Sequence, residues 1–296
     1  MARQYEFLIA GLPDLHLDEN KSAFTFKAFM AEIAECVEEP DASVADAMRL
    51  PIDNRNLINL LEEKGDFDDN GSLSREELDE FIKSPGTVQN FIPNFSLNIP
   101  DRPPKYMQKF MVAHRENRQL FPGLTPYDQL TWLFYEEMAE SKNEFIRDWY
   151  EFDQNLRNVM AAINIRKGLT HIEAIGTERD RPGVFTIIGR SDVAEALLKS
   201  ATPDFGLMGG HPWMEKVIAL GRGSLTDMEK GLDDIRWEML SDMTIDKYFD
   251  IEMIASVAQK LLIVERWMRL DPVAGREKLD KLVEEMMGSF VMPAGF

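Results

Sequence analysis

Apolar residues recur three and four positions apart along most of this chain, the spacing of helices that bury one face. Phe26, Phe29, Met30, Ile33 and Val37 mark a core-facing helix that Ser22 can cap and that runs to Glu39. Further helices are predicted from about Asp53 to Lys64 and from Ser74 to Lys83. Thr125-Pro126-Tyr127-Asp128 is a helix start, with Thr as cap, Pro at the first helical position and an acid two residues on. No Gly or Pro follows until Gly168, which predicts a helix of roughly forty residues, about 60 Å long, or else a kinked pair of ordinary helices. Phe145, Trp149, Phe152, Leu156, Val159 and Ile163 form a seam along its second half. Helical periodicity returns in Ser191–Ser200, His211–Leu220, Ser224 to about Met243, Asp250–Leu270 and Val273–Met287.

Two apolar runs stay ambiguous. Tyr5–Leu15 reads as a short strand or a helix end, and Gly183–Gly189 as a strand or a buried turn. Ser84–Pro104 holds five of the fifteen prolines and no helical period, so it reads as an extended connector. The expected fold is mostly α, with long antiparallel helices in repeated units and little or no sheet. An N-terminal helical segment (1–83), the connector (84–104) and a main helical body (105–296) would form one integrated structure, onto which the apolar tail from Ser289 to Phe296 can dock.

A short phrase supplies the evidence for repetition. Asn56-Leu57-Ile58-Asn59-Leu60 follows Asp53, and Asn155-Leu156-Arg157-Asn158-Val159 follows Asp153. Asparagines three apart share one helix face. Because an asparagine amide competes for backbone partners, two such pairs inside helices point to buried, satisfied polar contacts.

Composition narrows the class. Hydrophobic residues make up 44% and charged residues 29% of the 296 positions, the balance of a globular chain. A net charge of -19 argues against nucleic acid and anionic lipid surfaces as partners. The one cysteine, Cys36, lies among Ile33, Ala34 and Val37 and reads as a buried thiol in a reducing compartment. No stretch reaches eighteen uninterrupted apolar residues, so a cytoplasmic protein, without direct membrane insertion, is expected.

Asp66-Phe67-Asp68-Asp69-Asn70-Gly71-Ser72-Leu73-Ser74-Arg75-Glu76-Glu77 matches the twelve-residue EF-hand loop at its diagnostic positions. Calcium needs six to eight hard oxygens, which Asp66, Asp68, Asn70, the Ser72 carbonyl and a bidentate Glu77 would supply while Gly71 allows the sharp turn. The competing reading is a polar turn at the start of the Ser74 helix. No second loop of this kind accompanies it, and polar Glu62, Glu63 and Lys64 stand where an EF-hand places apolar residues. A calcium-binding helical regulatory or scaffold protein is the alternative function this motif raises.

No catalytic constellation emerges. His16, His114, His171 and His211 are scattered, and Gly209-Gly210-His211-Pro212 lacks the residues of a phosphate loop or nucleophile elbow. Glu136-Glu137 and Glu284-Glu285 read as solvated helix faces without the Glu-x-x-His pairs of a di-metal bundle. A non-enzymatic protein with no required cofactor is expected.

Taken together, Tyr5-x-Phe7-Leu8-Ile9-Ala10-Gly11-Leu12-Pro13-Asp14-Leu15, the Asn56-Leu57 phrase and Asp204-Phe205-Gly206-Leu207 resemble a bacterial family of unknown function, encoded among V-type ATPase subunits. That family in turn resembles the C subunit of the V/A-type ATPase, called the d subunit in eukaryotes. Arg166-Lys167-Gly168 closing the long helix and Glu265-Arg266 near the end of the Ile254–Met268 helix belong to the same likeness. The resemblance implies a funnel-like, all-helical, non-catalytic component that couples the central stalk to the membrane proteolipid ring. It would be peripheral to the membrane, with other V-type ATPase subunits as its partners.

Overall fold

A computed structural model describes residues 5–12, 15–17, 25–84, 103–169, 187–220 and 224–270. Every regular element among them is a helix: α1 Glu6–Ala10, α2 Phe26–Cys36, α3 Asp41–Ala47, α4 Leu50–Glu62, α5 Arg75–Lys83, α6 Lys105–Arg115, α7 Pro126–Ala139, α8 Glu144–Leu169, α9 Asp192–Lys199, α10 Trp213–Leu220, α11 Leu225–Met243 and α12 Ile251–Arg269. The first ambiguous run therefore carries a helix. Most of the proline-rich connector, residues 183–186 of the second run, the Val273–Met287 helix and the tail lie outside the described residues.

The caps fall where local chemistry put them. Thr125, Ser191 and Ser224 each accept from a backbone amide three residues on, and Ser74 and Glu77 form a reciprocal capping box at α5. α2 opens at Thr25 instead of Ser22. α4 starts ahead of Asp53, with Pro51 in its first turn.

The single forty-residue helix is corrected to two. The chain breaks at 140–143, where the Asn143 side chain accepts from the Ile146 amide at 3.0 Å and Arg147 donates to the Ser141 carbonyl at 2.8 Å. α8 then folds back along α7. Asp128 pairs with Arg157, and Tyr135 donates to Asp153 at 2.7 Å, so residue numbers rise on one helix as they fall on the other. The same antiparallel order holds for α11 and α12, where Glu229 meets Arg266 and Leu240 meets Ser256. The seam residues of α8 are buried, with Ile163 partly so, and Phe152 meets the Trp213 ring of α10 edge-on.

Buried side chains from Tyr5 on through Ile263 form one continuous apolar cluster. Polar ties cross it between segments distant in sequence. Gln259 of α12 donates to the Met48 carbonyl at 2.7 Å, Glu265 accepts from the Phe26 amide at the start of α2, and the Tyr150 hydroxyl reaches the Ala47 carbonyl. Buried Asp233 accepts from Trp267 at 2.7 Å and pairs with both Arg236 and Arg266, linking α11 to α12. Glu265 and Arg266 thus tie α12 to two different helices, α2 and α11.

Cys36 is exposed, contrary to the expectation of a buried thiol. Ile33 and Val37, four apart, take the inward positions at the end of α2, and Cys36 lies off that line.

Candidate functional site

Both asparagine phrases face a non-helical segment that leads into a capped helix. On α4, Asn56 holds the Asp68 peptide from both sides: its Nδ2 donates to the Asp68 carbonyl at 2.9 Å and its Oδ1 accepts the Asp68 amide at 2.9 Å. On α8, Asn158 does the same to Ile188, at 2.7 and 3.0 Å. Asn56, Asn155 and Asn158 are buried, as expected, and Asn59 is half-buried while donating to the Asp66 carbonyl.

The equivalence is offset by one helical turn from the one the phrase suggests. Asn56 corresponds in task to Asn158. One turn earlier, Asp53 receives Ser72 and Leu73, and Asn155 receives the Ser191 hydroxyl at 3.4 Å. Each loop also brings a glycine against its helix. A Cβ on Gly71 would lie 2.3 Å from Asp53 Oδ1, and one on Gly189, whose φ is +86°, would lie 2.2 Å from Gln154 Nε2. Gly71 is therefore explained by the close approach of a carboxylate.

Around the first loop the polar contacts form a cage. Asp53 Oδ2 accepts from the Ser72 amide at 3.1 Å and the Ser72 hydroxyl at 2.6 Å, while Oδ1 accepts from the Leu73 amide at 3.0 Å. Arg49 donates to the Asn70 carbonyl at 3.0 Å and to the Gly71 carbonyl. Burial pushes the Asp53 carboxyl up to about 6, against the opposing pull of the Ser72 hydroxyl, the Leu73 and Ser72 amides and Arg49. Behind this cage, Tyr106 donates to Asn54 at 2.8 Å, and its own burial raises its pKa well above the usual tyrosine value. Tyr106 is thus a neutral donor across the physiological range.

Three of the five candidate calcium residues make other side-chain contacts. Asp68 accepts from the Asn70 amide at 3.1 Å in a local turn, the Ser72 hydroxyl turns to Asp53, and Glu77 accepts the Ser74 amide at 2.7 Å in the capping box. Among the described residues no group of three or more His, Cys, Asp or Glu side chains is gathered to hold a metal ion. Asp66, Asp68 and Glu77 are not gathered into such a group.

The Ser72–Leu73 wall of the cage also lines a cleft of about 430 Å³, closed on its other sides by the α3–α4 corner, the start of α6 and the α7–α8 corner. Glu137, expected on a solvated face, is half-buried there and accepts the Tyr106 amide at 2.9 Å, while Glu136 remains exposed and accepts from Trp132.

The clamps extend over both halves of the sequence, and so does the match to known families. A family model described as "Protein of unknown function (DUF2764)" matches residues 1–289. The chain belongs to this family. No curated protein matches it, and no solved structure does. For this family member, the residues missed from sequence are Arg49 and Gln154. Each sits one turn ahead of a polar residue that faces the loop, Arg49 ahead of Asp53 and Gln154 ahead of Asn158, and that spacing is the signal that points to them.

Proposed function

We propose that this chain is a non-catalytic subunit or accessory factor of a V-type rotary ATPase, coupling the central stalk to the membrane proteolipid ring. The observation that carries this reading is internal repetition. Two helices, α4 and α8, each clamp the peptide of an incoming loop through a buried asparagine and release it into a serine-capped helix. Related helical units are what a funnel-shaped architecture like that of the V/A-type C subunit requires. Clamped loops also suit a part that transmits torque, because they resist local opening.

No helix among the described residues is long and apolar enough to cross a membrane. In this reading the chain meets the ring through protein contacts, from the cytoplasmic side, and its net charge of -19 calls for basic or neutral partner faces. Affinity purification of the tagged protein from its native host in mild detergent, followed by mass spectrometry, tests the proposal. Stalk and ring subunits recovered in near-equal amounts are expected. A solitary protein from cells that make both would sink it.

A further inference from the structure

The cleft beside the first clamp has an apolar floor under a charged rim. Leu50, Leu73, Met138 and Ile146 line it, each less than a tenth exposed in spite of the opening. The carboxylates on the lining are Asp46, Glu137 and Glu140, against Lys105 as the one cation among the lining residues. Asp46 is ion-paired with Arg49 at 3.4 Å, and the Nε and Nη2 of Arg49 donate to the Asn70 and Gly71 carbonyls. Ser43, Ser72 and Ser141 add hydroxyls at the margin.

Such a site discriminates by charge. The net negative rim opposes an anionic occupant and adds nothing for a purely apolar one, whereas a side chain with an apolar stem and a cationic tip suits both zones, with exposed Glu140 as its most accessible charge partner. The volume is within the range of small-ligand pockets, enough for one long side chain and the backbone that carries it. We propose that this cleft receives a lysine or arginine side chain of a protein partner. Its stem lies along Leu50, Leu73 and Met138, and its head is held among Asp46, Glu137 and Glu140. The identity of that partner rests on the rotary ATPase reading; the recognition chemistry does not.

The test titrates butylguanidinium into the isolated full chain carrying isotope-labelled Met and Ile methyl groups, with butanol and butyrate as matched controls. Saturable shifts at the Met138 and Ile146 methyls are expected for butylguanidinium alone. Affinity should fall about threefold in Glu140→Gln, the loss typical of one exposed charge contact, and further with Asp46→Asn added. Equal shifts with butanol or butyrate, or none from butylguanidinium at tens of millimolar, would overturn the proposal. In the affinity purification, exposed Glu140→Lys reverses one rim charge and is expected to deplete the partners that wild type recovers. Full retention of those partners by Glu140→Lys overturns the docking role. A wild-type capture without rotary ATPase subunits instead sinks only the proposed function, and the titration alone then decides the cleft.

Discussion

At the first clamp Asp53 and Arg49 bring opposite charges to residues 70–73, whereas the second holds Ile188 with the neutral carboxamides of Asn158 and Gln154. The clamped peptides differ in depth, and the clamping groups in what offsets them. Ile188 is fully buried, and a charge placed beside it would lose its hydration with little in return. The first loop lies beside an open cleft and is half-buried at Asp68 and Ser72, and although Asp53 itself is fully buried, its charge is offset by Arg49, the Ser72 hydroxyl and two backbone amides. One helical device thus exists in a neutral form and in a form whose buried carboxylate is offset by an arginine and by backbone donors.

Alanine at the two clamping asparagines should break the symmetry first. Asn158→Ala strips the buried Ile188 amide of its acceptor and leaves its carbonyl with Gln154 alone at 3.3 Å, a loss of roughly 4 kcal/mol once the cavity is included. Asn56→Ala exposes a peptide that water can reach, and should cost about 1–2 kcal/mol. Urea unfolding of both variants measures the gap; equal losses would deny the contrast in depth.

Acidity should separate the clamps next. The folded Asp53 carboxyl titrates at about 6, above the 3.8 of an ordinary aspartate, so the native state holds that proton more tightly. Its contribution to stability is fully present below about pH 4 and is lost as pH rises through 6, on the order of 3 kcal/mol. The unfolding free energy of wild type relative to Asp53→Asn should therefore decline between pH 4 and 6 and level off above 7. A parallel pH profile in the two proteins would remove Asp53 as its source, while Asn158→Ala relative to wild type should be flat throughout.

A smaller effect tests the close approach at Gly71. Alanine there should destabilise by about 2 kcal/mol in wild type and by much less when Asp53 is also alanine, because the contact 2.3 Å away is that carboxylate. Additive losses in the double-mutant cycle would place the strain elsewhere. Smallest of all is the expected response to calcium. With Glu77 in the capping box and Ser72 on Asp53, millimolar calcium should move the thermal midpoint by less than about 1 °C, and a rise of several degrees would mean the loop rearranges into a cage.

The cap at Thr125 was legible in the sequence because it is written within four residues, and the helix starts at Ser191 and Ser224 were legible with it, whereas α2 opens at Thr25 and not at Ser22. Burial of the asparagine phrases was legible for a similar reason, since a polar pair on an apolar helix face goes into the core with that face and must find partners there. The α7–α8 corner was hidden because no Gly or Pro marks it, although Asn143 begins α8 by accepting from the Ile146 amide. The EF-hand pattern has two readings for a chemical reason. Asp, Asn, Gly and Ser are the residues of calcium loops and also of turns and caps, and the contact that the sequence does not show is that of Ser72 with Asp53, nineteen residues earlier and on another element. The one-turn offset between the clamps was likewise invisible, because it depends on where the incoming loop lies and not on the helix that receives it.

Amide hydrogen exchange at Asp68 and Ile188 tests the duplicated clamp most directly, since neither amide belongs to a helix. Both should be protected in wild type, with Asn56→Ala releasing Asp68 alone and Asn158→Ala releasing Ile188 alone. Exchange of both amides at unprotected rates in wild type would contradict the clamp.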